Sequence, residues 1–248
     1  MRTRILDQPI DIISMEEASY ITSKALINSK QIKIVTLNPE MVINASCDFE
    51  FQAAINNANL IIPDGTGIIW ALKLLNPGSF ENIKRIPGIE LCENMLIAAN
   101  KLSKKIAVLG STNNVLDKLS DVFKNKYPNI DIVKTIDGYQ GKEKDSEVAN
   151  TMASCNPDLV LVALGSPRQE MWINKYADLF PHSIMIGVGG SLDVWSGKCK
   201  RAPAWIRDIN LEWLFRALSQ PQRTSRILKT LPRFVCTTLK EKLKQSKS

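Results

Sequence analysis

The chain has 248 residues, 44% of them hydrophobic and 23% charged, with a formal net charge of +7. This suits one sizeable α/β domain, or one domain plus an appendage, and argues against a disordered chain. No apolar run approaches the ~18 residues of a spanning helix, and Met1 to Ile13 carries Asp7 and Asp11 without a signal-peptide apolar core, so a cytoplasmic location is expected.

Arg4 to Ile13 reads as a short strand pair turning near Asp7-Gln8-Pro9. A helix then opens at Ser14, where Ser14 and Glu17 have capping-box spacing, and continues to about Asn28. Lys33 to Leu37 and Leu60 to Ile62 are strands that end at Asn38-Pro39 and Pro63-Asp64-Gly65. Helices are expected over Thr66–Leu75 and Gly88–Asn100. A similar second half follows, with strands at Lys105–Leu109, Ile130–Ile136, Leu159–Leu164 and Ser183–Val188. Helices at Asn113–Lys126, at Lys142–Ser154 and from Pro167 onward alternate with them. Apolar strands alternating with helices predict an α/β fold, a Rossmann-like, mainly parallel sheet with helices on both faces.

The composition breaks near Gly197, so the expected division is a catalytic domain over 1–197 and a basic helical C-terminal appendage over 198–248. From Lys198 onward 13 Lys+Arg stand against 3 Asp+Glu, a balance of +10, whereas the rest of the chain carries −3. Ile227, Leu228, Leu231, Phe234, Val235, Leu239 and Leu243 recur at helical spacing among Lys and Arg. They predict a basic amphipathic helix bent at Pro232. Such a tail seeks phosphate, whether nucleic acid, anionic lipid or a diphosphate ligand.

Several chemistries lack their signatures. There is no Gly-x-x-x-x-Gly-Lys-Ser/Thr phosphate loop, Gly187-Val188-Gly189-Gly190 lacks the third glycine spacing of a dinucleotide fingerprint, and no Asp-x-Asp metal clamp exists. The single histidine, His182, sits in an expected surface turn. The five cysteines are scattered without a Cys-x-x-Cys pair, so neither a metal site nor a disulfide framework is expected.

What remains is polar residues at strand exits, where parallel sheets bind ligands. Thr36 and Asn38 end one strand and Asp64 another. Arg85 lies in the loop Lys84 to Gly88; Asp137 and Tyr139, then Ser166, Arg168 and Gln169, then Asp193 follow later strands. Burial behind Pro63 would raise the pKa of Asp64 and make it a better base, but the same position suits an N-cap of the next helix. Gly110-Ser111 and Gly165-Ser166 fit either phosphate cradles or tight turns. Tyr139 fits either base stacking or a cap on the core. Arg216, Arg223 and Arg226, spaced by seven and three, share a helix face that fits a diphosphate or a solvated surface.

In their order, these elements resemble the WecG/TagA/CpsF glycosyltransferases, glycosyltransferase family 26. The likeness spans Thr36-Leu37-Asn38-Pro39-Glu40, Pro63-Asp64-Gly65-Thr66-Gly67, Arg85-Ile86-Pro87-Gly88 and Asp137-Gly138-Tyr139. It continues through Gly165-Ser166-Pro167-Arg168-Gln169-Glu170, Gly187-Val188-Gly189-Gly190 with Asp193, and Lys200-Arg201-Ala202-Pro203-x-Trp205. It closes with Leu211 to Arg216 and Gln220-Pro221-x-Arg223-x-x-Arg226. Where the family often has a basic residue after Ala-Pro, this chain has Ala204.

The resemblance implies a metal-independent, cofactor-free, inverting transferase. It would move N-acetylmannosamine or a related sugar from a UDP-sugar to a polyprenyl-diphosphate-linked N-acetylglucosamine in cell-envelope synthesis. On this chain it makes Asp64 the base and Thr36, Asn38, Arg85 and Gln169 the polar pocket. Arg216, Arg223 and Arg226 would meet the donor phosphates, with Gly110, Tyr139 and Asp193 as further nucleotide contacts. The basic helix would hold the protein peripherally at the inner face of the plasma membrane. The alternatives are a transferase of another UDP-hexose, a nucleic-acid-binding module and an NAD-dependent oxidoreductase. The tail's apolar stripe and the acidic body weigh against nucleic acid, and the missing fingerprint weighs against NAD. The Trp-rich segment before the tail leaves a homo-oligomer open.

Overall fold

The computed structural model describes residues 1–209, 211–219 and 221–246, and of residues 216, 219 and 221–223 the helical backbone alone. It opens with an antiparallel hairpin, β1 (Arg2–Ile5) and β2 (Gln8–Asp11). The turn is at Leu6-Asp7, where φ is 45° and 67°, and not at Asp7-Gln8-Pro9. A two-residue hairpin turn of this hand needs positive φ at both positions, which proline cannot adopt; Pro9 instead pairs with Arg4 inside the strand.

The main sheet has six strands: β3 (Ile32–Leu37), β4 (Leu60–Pro63), β5 (Lys105–Gly110), β6 (Asp131–Ile136), β7 (Leu159–Ala163) and β8 (Ile184–Gly187). Their order is β4-β3-β8-β7-β5-β6, and every neighbouring pair is parallel. All strand C-termini therefore emerge along one edge. The hairpin covers the outer edge of β4: the Asp11 carboxylate accepts the Ile61 N–H at 2.8 Å, and Arg2 donates to the carbonyls of Ala58 and Asn59. An exposed ladder edge is thereby satisfied.

Period-2 alternation divides the core. Ile32, Ile34, Ile62, Ile106, Val108, Leu161 and Ile186 face one cluster, under α1 (Met15–Ile27), α5 (Gly88–Lys101) and α6 (Asn113–Lys126). The intervening Val35, Leu37 and Ile61 face α2 (Pro39–Ala45), α3 (Phe49–Asn56) and α4 (Thr66–Leu75). Ala107, Leu109, Val160, Val162 and Met185 face α7 (Asp145–Ala153) and α8 (Arg168–Tyr176). Each fully buried Ile or Leu contributes roughly 1.5–3 kcal/mol, so both faces of the sheet hold the fold.

Two short helices were not expected from the apolar pattern. Asn38 caps α2, its side-chain oxygen accepting the Met41 N–H at 3.0 Å with Pro39 at the first helical position. Asp48 caps α3 through the Phe51 N–H at 3.0 Å. The capping box at Ser14 and Glu17 is formed as expected. The chain ends with α9 (Ser191–Trp195), α10 (Ala204–Asp208), α11 (Glu212–Ser219) and α12 (Pro221–Gln245); Pro232 lies inside α12. The C-terminal stretch is fastened to the body, because Phe234 and Thr238 of α12 are fully buried and Phe234 joins the cluster around Phe51 and Ile68.

Candidate active site

A cavity of about 1120 Å³ opens along the C-terminal edge of the sheet, and all six strand exits contribute to its wall. Thr36 and Asn38 come from the β3 exit, Asp64 and Gly65 from β4, Ser111 from β5, and Gly138 and Tyr139 from β6. Leu164 to Ser166 follow β7, and Val188 to Ser191 follow β8. Glu212 and Trp213 of α11 and Arg226, Ile227, Thr230 and Leu231 of α12 line it from the C-terminal segment.

Asp64 is held at both ends. Its backbone N–H donates to the Leu37 carbonyl at 2.8 Å, and its Oδ2 accepts the Gly88 N–H at 3.3 Å. The N-cap position of α4 belongs to Gly65, at φ 110°, and not to Asp64. The carboxylate therefore faces the first residue of α5, where unpaired N–H groups favour an anion. Nearby Cys92 is fully buried, and burial, with the charges of Glu93 and Asp64, pushes its thiol up, so it stays protonated and inert at neutral pH.

Arg85 reaches the Glu212 carboxylate at 3.4 Å. Gln169, only 5% exposed, has both ends of its amide engaged: Nε2 donates to Glu170 Oε1 at 2.7 Å and Oε1 accepts the Gly189 N–H at 3.2 Å. It thus ties α8 to the β8 exit loop. Burial pushes the Glu170 carboxyl up, against the lowering effect of that Gln169 hydrogen bond. Asp193 Oδ1 accepts from Ser111 Oγ at 3.2 Å and from Lys198 Nζ at 3.2 Å, joining two strand exits. Tyr139 is 78% exposed at the rim, so it does not cap the core. Arg226 Nη1 lies 3.5 Å from Glu40 Oε1, linking α12 to α2 across the cavity wall.

Thr36, Asn38, Asp64 and Arg85 thus share one cavity with Tyr139, Gln169, Asp193 and Arg226. Gly110 does not line it: at φ 124° it packs against the Ala163 carbonyl, and Ser111 takes its place in the wall. The side chains of Arg216 and Arg223 lie outside the described residues, although their backbones belong to α11 and α12.

Arg168, expected among the strand-exit residues, also lines the wall, whereas sequence reasoning missed Glu40 and Glu212. Arg168 donates to Asp145 at 2.9 Å and to the Gly138 carbonyl at 3.4 Å, bracing the loop that carries Tyr139. For Glu212 the signal was a lone acid in a strongly basic segment. Among the described residues, no three His, Cys, Asp or Glu side chains gather to hold a metal ion, and no helix is long and apolar enough to cross a membrane.

Three relatives with this sequence pattern are named N-acetylglucosaminyldiphosphoundecaprenol N-acetyl-beta-D-mannosaminyltransferase. The protein of Bacillus spizizenii strain W23 is 34% identical, the alignment covering 100% of this chain and 95% of the relative. That of Bacillus subtilis strain 168 is 39% identical over 84% of this chain and 79% of its own length. That of Staphylococcus aureus strain MW2 is 37% identical over 89% and 85%. A family model described as the glycosyl transferase WecG/TagA/CpsF family matches residues 3–248, and the chain belongs to that family.

Proposed function

We propose that this protein transfers N-acetylmannosamine from a UDP-sugar to the N-acetylglucosamine of a polyprenyl-diphosphate-linked acceptor, with inversion and without a metal ion. The observation that carries this reading is the convergence of Asp64, Arg85 and Arg226 on one cavity, in a chain of this family. The relatives' names supply the sugar, the β product and the acceptor. A β product from an α-linked donor requires inversion, hence a single displacement.

In that displacement the Asp64 carboxylate takes the proton of the acceptor hydroxyl, whose oxygen attacks the anomeric carbon. The bond from that carbon to the diphosphate oxygen breaks, and UDP departs with the electron pair. Arginines replace a metal in stabilising the leaving group: Arg226 exchanges Glu40 for a donor phosphate, with Arg216 and Arg223 on the same segment. Thr36, Asn38 and Gln169 shape the sugar subsite, Gln169 by holding the Gly189 loop. Trp205, Leu218, Leu228 and Leu243 are exposed on the C-terminal helices, and this supports a second part of the proposal, that α10 to α12 rest on the membrane surface carrying the acceptor.

The test incubates purified enzyme with a panel of UDP-sugars and a short-chain lipid-diphosphate-N-acetylglucosamine, with product mass measured in the presence of EDTA. Transfer from UDP-N-acetylmannosamine is expected. Preference for another UDP-hexose would overturn the donor assignment, and loss with EDTA the metal-free mechanism. Asp64→Asn is expected to bind UDP as wild type does while losing most turnover; wild-type kcat in that variant would remove Asp64 as the base.

A further inference from the structure

Five charged side chains of alternating sign run from the cavity wall into the C-terminal segment. Arg85 lies 3.4 Å from Glu212, Glu212 lies 3.6 Å from Arg201, Arg201 lies 2.5 Å from Glu90, and Glu90 lies 3.6 Å from Arg207. Arg85 and Glu90 belong to the body, whereas Arg201, Arg207 and Glu212 belong to the segment after the sheet. Little water reaches the centre of the chain: the side chain of Glu212 is 6% exposed, and those of Arg85 and Arg201 are 17% and 18%.

The backbone at Arg85 is fixed independently of this network. Ile86 is buried and its N–H donates to the Pro63 carbonyl at 2.8 Å, beside Asp64. Only the long Arg85 side chain needs orienting, and the Glu212 carboxylate from α11 meets it. Without that carboxylate, Arg85 and Arg201 become neighbouring like charges in a poorly hydrated place, and the guanidinium is driven elsewhere.

We propose that Glu212 is a positioning residue: it sets the Arg85 guanidinium in the cavity wall when α11 is seated, so the C-terminal segment completes the active site through this carboxylate. The proposal rests on the cavity being the transferase site. It gives the segment a role distinct from any contact with phosphate or lipid, because an acid does the work.

The test is a double-mutant cycle in the full-length enzyme, using Glu212→Gln, Arg85→Ala and the pair, with kcat and KM measured well below the melting temperature of each variant. Glu212→Gln is expected to lower kcat/KM about tenfold or more, and to lower it less than about threefold further when Arg85 is already Ala. Losses that simply multiply would mean that Glu212 acts on stability and not through Arg85, and would overturn the proposal. Should Glu212→Gln fail to fold, Glu212→Asp, which keeps the charge and shortens its reach, enters the same cycle. A wild-type enzyme without turnover on any UDP-sugar counts against the proposed function. The cycle is then read in UDP affinity by calorimetry, where independent effects of the two substitutions overturn this proposal alone.

Discussion

Gly88 leaves almost no space between the floor of the cavity and the start of α5. A Cβ there would lie 2.8 Å from Thr36 Cγ2 and 3.4 Å from Asp64 Oδ2. Its backbone N–H is also the hydrogen-bond donor to Asp64. Gly88→Ala should therefore displace either Thr36 or the end of α5 that holds the carboxylate, and lower kcat about tenfold or more. Thr36→Ser removes the crowding methyl and keeps the hydroxyl, so the double variant should recover activity relative to Gly88→Ala. A double variant as slow as the single one would place the fault elsewhere. Glu170 gives a stability test. Burial raises its carboxyl pKa in the folded state, so the folded protein holds the proton more tightly than the unfolded chain. Its contribution is fully present below the unfolded glutamate value of about 4.3 and is lost as pH rises through the raised folded value. Glu170→Gln keeps a carbonyl acceptor for Gln169 and cannot ionise. The variant should gain melting temperature relative to wild type as pH rises through that window; parallel profiles would refute an ionising Glu170. At this scale Asp64 was legible as a strand-exit acid, but not its partner: Gly88 is 24 residues away, and only the docking of the Arg85 loop on Pro63 brings them together.

Among the elements, α12 has two different faces. Phe234 is fully buried between α2 and α4, while Leu228 is 68% exposed on the same helix. Phe234→Ala should cost about 3–5 kcal/mol of stability, and Leu228→Ala about 0.5 kcal/mol or less, in paired denaturant titrations. Equal effects would mean that α12 is not docked as described. The helical spacing of Ile227, Leu231, Phe234 and Leu239 showed an amphipathic helix, but spacing alone does not distinguish a residue covered by protein from one left for another surface. Strands such as β4, β7 and β8 were legible because burial on both faces demands continuous apolar runs, and the bounds of α6 matched the expected Asn113–Lys126. α2 carried its signal in Asn38-Pro39, a cap followed by proline, yet at seven residues it is too short for apolar periodicity to declare it. The strand order was not legible, because the parallel pairing of β3 with β8 joins residues some 150 positions apart in a way no local pattern encodes.

At the scale of the molecule, charge is segregated. The segment from Lys198 carries +10 and the preceding body −3, so an anionic surface attracts one part and weakly repels the other. The last turns of α12 place Lys240 and Lys242 beside the exposed Leu239 and Leu243, an arrangement that suits the headgroup region of a bilayer. Truncation is a poor test of the proposed membrane contact, because removing α12 also uncovers the core around Phe234. Charge removal is cleaner. With a contribution of about 1 kcal/mol per basic residue near an anionic surface, the double variant Lys240→Gln/Lys242→Gln should lose ~2 kcal/mol, about thirtyfold in partitioning onto phosphatidylglycerol vesicles. The melting temperature should hold, and raised salt should weaken the wild type in the same direction. Turnover of a short-chain acceptor in solution should stay at the wild-type rate, while turnover of a vesicle-embedded acceptor should fall with binding. If the variant bound anionic vesicles as tightly as wild type, the basic end of α12 would not be the membrane contact, because its two lysines would then be contributing nothing that lipid charge can feel.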